Sequence, residues 1–194
     1  MEQKLSLWLV DKLYRKATIS NEYREVYIYG LELIFSFIIS TSIIMTIGFA
    51  LRQVIPTITF LITFIVIRQY TGGYHATTYF VCKLCTVSCF LISVLLASII
   101  TVPKSAFIVL LILSAVIICL LGPIENPHKP LTPQAKKKHK ITGLVLYSIW
   151  SIIGYQTSYI ITSVSNTIFF TLCIIIILMI IPIFERRNKH EKAR

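Results

Sequence analysis

Long runs without a charged side chain alternate with short basic segments along this chain. Leu33–Leu51, Leu84–Pro103, Ser105–Ile124 and Ile141–Phe184 contain no Asp, Glu, Lys or Arg. About 20 mostly apolar residues cross about 30 Å of hydrocarbon. The first three runs fit one span each and the fourth, at 44 residues, fits two. A fifth run, Gln53–Ile67, is short and carries Pro56 in its first turn. Proline is tolerated at a helix start because its missing N–H has no intrahelical partner there anyway. The run reads as a further short or tilted span, against a re-entrant or interfacial helix. The pattern predicts spans at 26–50, 53–68, 83–102, 105–122, 141–160 and 164–184. Lipid offers no partner for backbone N–H groups, so each span is a helix.

The first 19 residues follow another rule. Leu5, Trp8, Leu9 and Leu13 recur at helical spacing, with Lys4, Asp11, Lys12, Arg15 and Lys16 mostly on the other side. That predicts an amphipathic helix lying on the membrane surface, anchored by Trp8. The plainer alternative is a solvated tail helix. No apolar stretch followed by a small-residue cleavage site marks a cleavable signal. Tyr23, Tyr27 and Tyr29 suit the aromatic belt where the first span enters. Glu32, about two turns in, is either an interfacial carboxylate or a buried functional acid.

The predicted fold is therefore an all-α, polytopic integral membrane protein of about six transmembrane helices, with an N-terminal interfacial helix. The whole chain, 1–194, forms one membrane domain. It divides into an interfacial helix at 1–20, four spans at 26–122, a Pro-rich basic connection at 123–140, two spans at 141–184 and a basic tail at 185–194. Composition agrees, with 56% of residues hydrophobic against about 45–50% in soluble domains.

Charge adds the orientation. Of the 19 Lys and Arg residues, 15 lie before the first span, in the connection 123–140 or in the tail. Short segments rich in Lys and Arg stay cytoplasmic. Four spans separate the first segment from the second and two separate the second from the third. All three therefore face one side, which makes the chain a multi-pass protein of a cell membrane with both termini cytoplasmic. The same charge needs no nucleic acid to explain it. Lys136, Lys137 and Lys138 meet either anionic headgroups or an acidic peptide substrate. A homodimer is compatible with the chain, though no GxxxG pair in any span specifies one.

By the same count, the polar stretch 68–82, RQYTGGYHATTYFVC, lies at the cytoplasmic face between the second and third spans. Cys82, Cys85 and Cys89 follow one helix face at i, i+3 and i+7. Three readings stand. The thiols and His75 hold a metal; Cys82 and Cys85 form a redox pair; or Cys82 is a nucleophile beside His75. The third has a favourable field, with Lys83, Arg68 and a helix start close to the sulfur. Residues seven apart on one straight helix are separated by about 10 Å of rise. A direct His75–Cys82 pair therefore needs a bend between them, or two chains. Gly72 and Gly73 supply a permissive backbone, and Ala76-Thr77-Thr78 offers a turn with hydroxyl caps. A plain interspan turn with an interfacial His75 explains the same residues.

The stretch resembles the signature of the accessory gene regulator B family, membrane cysteine endopeptidases of bacterial quorum sensing. Arg68, Gly72, Gly73, His75, Ala76 and Cys82 match in place. The resemblance implies that Cys82 is the nucleophile and His75 the general base and then acid. It implies cleavage of the C-terminal part of a small precursor peptide through an acyl-enzyme thioester. A cysteine or serine of the precursor then closes a thiolactone or lactone ring. Arg68, Gly72 and Gly73 are supporting residues, and Lys136, Lys137 and Lys138 grip an acidic precursor segment. No cofactor or metal is implied. The expected partners are the precursor peptide and the bilayer. The rival reading is a small transporter or peptide-export subunit with Arg68 and His75 along its pathway. Such pathways place their charges near the midplane, whereas here they cluster at a span boundary.

Overall fold

Residues 2–15, 24–73, 78–124 and 132–192 are described by a computed structural model. They form seven helices: α1 (Glu2–Arg15), α2 (Arg24–Ala50), α3 (Val54–Thr71), α4 (Tyr79–Ile99), α5 (Lys104–Leu121), α6 (Pro133–Thr157) and α7 (Thr162–Lys192). Five of them, α2, α3, α4, α5 and α7, are long and apolar enough to cross a membrane. The short run with Pro56 is one of these five, and its proline sits in the first turn, as expected.

The remaining helix, α6, which answers to the expected span 141–160, departs from its prediction at the start. It begins at Pro133, so its opening turns carry Lys136, Lys137, Lys138, His139 and Lys140. The charge-free part, from Ile141 to Thr157, is shorter than the about 20 residues that a span takes. The expected basic loop over 123–140 is thus helical from Pro133 onward. The reason is local. Thr132 caps the helix by accepting the Ala135 N–H at 3.3 Å, and Pro133 occupies a first-turn position that needs no N–H. Even so, α6 runs the length of the bundle. Gly143 packs on Thr71 at one end, and Gly154 packs on Phe107 and Ile168 at the other.

At the centre, α7 packs against α3, α4, α5 and α6. Leu172, Ile175 and Met179 of α7 are fully buried with Phe60 and Ile67 of α3, Phe90 of α4 and Tyr147 of α6. Phe60 stacks on Phe64 and meets Phe90 edge-on. Large apolar residues such as Phe49, Ile99, Leu120 and Ile160 remain on the outside. A soluble monomer rarely exposes so much contiguous apolar surface; against acyl chains it is the expected exterior.

Several polar side chains inside the bundle are paired across helices. Ser93 of α4 and Thr171 of α7 are 3.0 Å apart. Asn166 of α7 donates to the Ala97 and Ile100 carbonyls and accepts from the Val102 N–H. It thereby ties down the connection between α4 and α5, where backbone groups leave the helical ladder.

Against α2, α1 buries Ser6 and Val10, held by Arg24 to Asp11 at 2.7 Å. Leu5 and Trp8, two residues of the expected apolar stripe, point outward. They are left for a surface other than the bundle, as the interfacial reading requires.

Candidate active site

The chain leaves the α3 helix at Gly72. The Gly72 N–H still donates to the Arg68 carbonyl at 2.9 Å, but φ is 68° at Gly72 and 136° at Gly73. Both angles lie in the region that favours glycine. Space demands glycine as well. A Cβ on Gly72 would stand 2.1 Å from the Ile124 carbonyl oxygen. One on Gly73 would stand 3.0 Å from the Leu178 carbonyl oxygen and 3.1 Å from Arg68 Nη1. The turn is held from outside too, because the Ile124 N–H donates to the Thr71 carbonyl at 3.0 Å. Gly72-Gly73 thus uses the permissive backbone expected of it, and two distant segments press on the turn.

Residues 74–77 lie outside the described residues, so His75 and its distance from Cys82 do too. The helix resumes at Tyr79. Thr78 is its N-cap, with its hydroxyl accepting the Val81 N–H at 3.3 Å. The Cys82 N–H donates to the Thr78 carbonyl at 3.1 Å. Cys82 thus sits at the first turn of α4, the end where the helix dipole is positive. Thr78 is extended, with φ of −128° and ψ of 146°, so α4 starts afresh after it.

A small cavity opens beside the sulfur. Phe64, Arg68, Cys82, Cys85, Thr86, Cys89 and Leu178 line it. Arg68 and Cys82, fourteen positions apart in sequence, are brought to one space by the turn between them. The Arg68 guanidinium lies 5.3 Å from the Phe64 ring centre, a cation–π contact that steadies the side chain. The Thr86 hydroxyl donates to the Cys82 carbonyl at 3.0 Å. Cys85 and Cys89 share the face, as the i, i+3, i+7 spacing requires. All five cysteines are free thiols. Among the described residues, no group of three or more His, Cys, Asp or Glu side chains is arranged to hold a metal ion.

Lys136, Lys137 and Lys138 are outside the cavity and exposed. Their helix nevertheless begins at the site end of the bundle. The His139 ring lies 5.5 Å from that of Tyr70, and Lys140 donates to the Cys119 carbonyl at the end of α5. Four contributors to the site are missing from the sequence reading: Phe64 and Thr86 line the cavity, and two more come from distant segments. Ile124 clamps the turn, and Leu178 forms the α7 wall. A signal for Leu178 exists in Pro182, since a proline inside a helix disturbs the residue four positions earlier.

Residues 6–185 match the family described as Accessory gene regulator B. The Accessory gene regulator protein B of Staphylococcus carnosus (strain TM300) is 25% identical over 155 residues, which cover 80% of this chain and 81% of that protein. An AgrB-like protein 2 of Clostridium perfringens (strain 13 / Type A) is 25% identical over 178 residues, covering 81% of this chain and 80% of that protein. An AgrB-like protein of Clostridium beijerinckii is 33% identical over 131 residues, covering 66% of this chain and 63% of that protein. No solved structure matches.

Proposed function

Because the chain belongs to the accessory gene regulator B family, we propose that it is a membrane-embedded cysteine endopeptidase that processes a small precursor of a quorum-sensing peptide. The observation that carries this reading is the meeting of Cys82, at the start of α4, with Arg68 of α3 in one small cavity. A thiol is a useful nucleophile once positive charge, a helix start or a base stabilises its thiolate. Arg68 supplies the charge, and His75 is the base.

The reaction proceeds in two exchanges. His75 takes the Cys82 proton, and Sγ attacks the carbonyl carbon of the scissile peptide bond. As the C–N bond breaks, His75 returns the proton to the leaving amine. The C-terminal part of the precursor departs, and the retained part is held as a thioester. A thiol or hydroxyl within that retained part then attacks the thioester carbon. The Cys82 thiolate leaves and is reprotonated, and the ring closes as a thiolactone or lactone. Exchange of one thioester for another is nearly isoenergetic, so the site must keep water out, which a cavity at the membrane boundary does.

Lys136, Lys137 and Lys138 hold an acidic segment of the precursor at the site end of the bundle. That end, with both termini, is cytoplasmic, and the amphipathic precursor reaches it along the leaflet. The test is co-expression with short precursors encoded beside this chain. Cys82→Ala and His75→Ala each abolish cleavage; cleavage that survives Cys82→Ala overturns the peptidase reading.

A further inference from the structure

The chemistry above moves a proton and a sulfur but assigns no partner to the carbonyl oxygen. When Sγ bonds to the carbonyl carbon, the C=O electron pair moves onto that oxygen. Its charge is best met by a donor already in place. The main-chain donors closest to the sulfur in sequence are committed. The Cys82 N–H donates to the Thr78 carbonyl, and the Val81 N–H donates to the Thr78 hydroxyl.

The walls of the cavity narrow the choice further. Phe64 and Leu178 bring apolar side chains. The Thr86 hydroxyl donates to the Cys82 carbonyl. Cys85 and Cys89 complete the wall beside the sulfur, and a thiol is a weak donor. The strong donor among the described lining residues is Arg68, since arginine carries five N–H groups and no acceptor. Seated on the Phe64 ring, its guanidinium is oriented before a substrate arrives. A donor so held in a low-dielectric site costs no reorganisation as charge develops. The cavity measures about 10 Å³, the room of about one water molecule. That suits a single carbonyl oxygen and not a side chain.

We propose that the Arg68 guanidinium donates a hydrogen bond to the carbonyl oxygen of the scissile bond as negative charge forms there. Arg68 is then a catalytic residue for the oxygen as well as a neighbouring cation for the sulfur. When the electron pair returns to the carbon, the C–N bond breaks and the amine leaves with the proton from His75. The same donor serves again when the ring-closing thiol or hydroxyl attacks the thioester. The inference rests on the reading of Cys82 as the nucleophile.

The test compares two reagents on one thiol and needs no precursor. Iodoacetamide alkylates Sγ by displacing iodide from a saturated carbon, with no charge on a carbonyl oxygen. Phenyl thioacetate transfers its acetyl group to Sγ and releases thiophenol, through a tetrahedral oxyanion. The full-length protein in membranes is treated with each, and modification of the Cys82 peptide is timed by mass spectrometry. Rates are read at the alkaline plateau, where the thiol is ionised in every variant and help to the thiolate no longer counts. Arg68→Gln is expected to lower acetyl transfer about a hundredfold relative to alkylation. Arg68→Lys keeps the charge but not the planar fork. It is expected to lower the same ratio about tenfold, and it carries the test if circular dichroism shows that Arg68→Gln does not fold. A ratio equal to that of the wild type in a folded variant overturns the proposal and leaves Arg68 acting on the sulfur alone. Precursor cleavage that survives Cys82→Ala sinks the peptidase reading, whereas an unchanged ratio sinks only the role of Arg68 toward the oxygen.

Discussion

Alanine at position 73 would put a methyl carbon 3.0 Å from the Leu178 carbonyl oxygen and 3.1 Å from Arg68 Nη1, on a backbone with φ of 136°. Either α7 or Arg68 must move. Holding a side chain in so sparsely populated a conformation costs roughly 1–3 kcal/mol. Gly73→Ala is therefore expected to abolish precursor cleavage while the protein still inserts and keeps its helix content by circular dichroism. Gly-Gly before a histidine was readable in the sequence as a bend. The crowding that makes the bend obligatory was not, because the crowding atoms are main-chain oxygens of Ile124 and Leu178. No side-chain pattern announces a carbonyl. Position 68 was likewise readable as a cation near the thiol, since it opens the same polar stretch, but its seat on the Phe64 ring depends on the helical turn that both share.

At the scale of elements, α4 delivers the thiol through its cap. Thr78 satisfies the Val81 N–H, and loss of such a cap costs about 1 kcal/mol. Thr78→Ala is expected to fray the first turn, seen as faster amide exchange at Val81 and Cys82 and a severalfold drop in cleavage. The sequence had offered Thr77 and Thr78 as caps, and Thr78 is the one that caps α4. For α6 the pattern misled, because four prolines between 123 and 133 suggested an extended connection. Proline opposes a helix interior but suits its first position, and Pro133 begins the helix. The lysines consequently stand on a rigid element fixed to the site end through Gly143 and Thr71. Reversing Lys136, Lys137 and Lys138 to Glu is expected to cut processing of an acidic precursor at least tenfold and to leave the Cys82 alkylation rate unchanged. Recovery with a precursor whose acidic residues are made basic checks that the effect is one of charge.

Across the whole molecule the two ends of the bundle differ. The α3–α4 turn, Ile124, the start of α6 and the start of α2 lie at one end. The connections 51–53, 100–103 and 158–161 lie at the other. Of the described cations, only Arg52 and Lys104 belong to that second end, where Lys104 sits over the Tyr159 ring. The positive-inside tendency then predicts a cytoplasmic site end. Single cysteines at Arg52 or Lys104, in a chain otherwise free of cysteine, are expected to react with an impermeant maleimide added to intact cells. One at Lys137 is expected to react only after lysis, and the reverse pattern refutes the orientation. The span pattern and the charge asymmetry were plain from sequence because lipid imposes length and polarity on every segment. Which helix lies at the centre was not, because the outlying α5 is as apolar as the central α7. The central one is α7, and it has a bearing on biogenesis. Cys82 emerges from the ribosome well before Leu178, by on the order of 5–20 seconds at ordinary translation rates of about 5–20 residues per second. During that interval the nascent chain carries its thiol without the wall that encloses it. Only when α7 joins the bundle is the pocket complete, so the thiol is enclosed long after it is made.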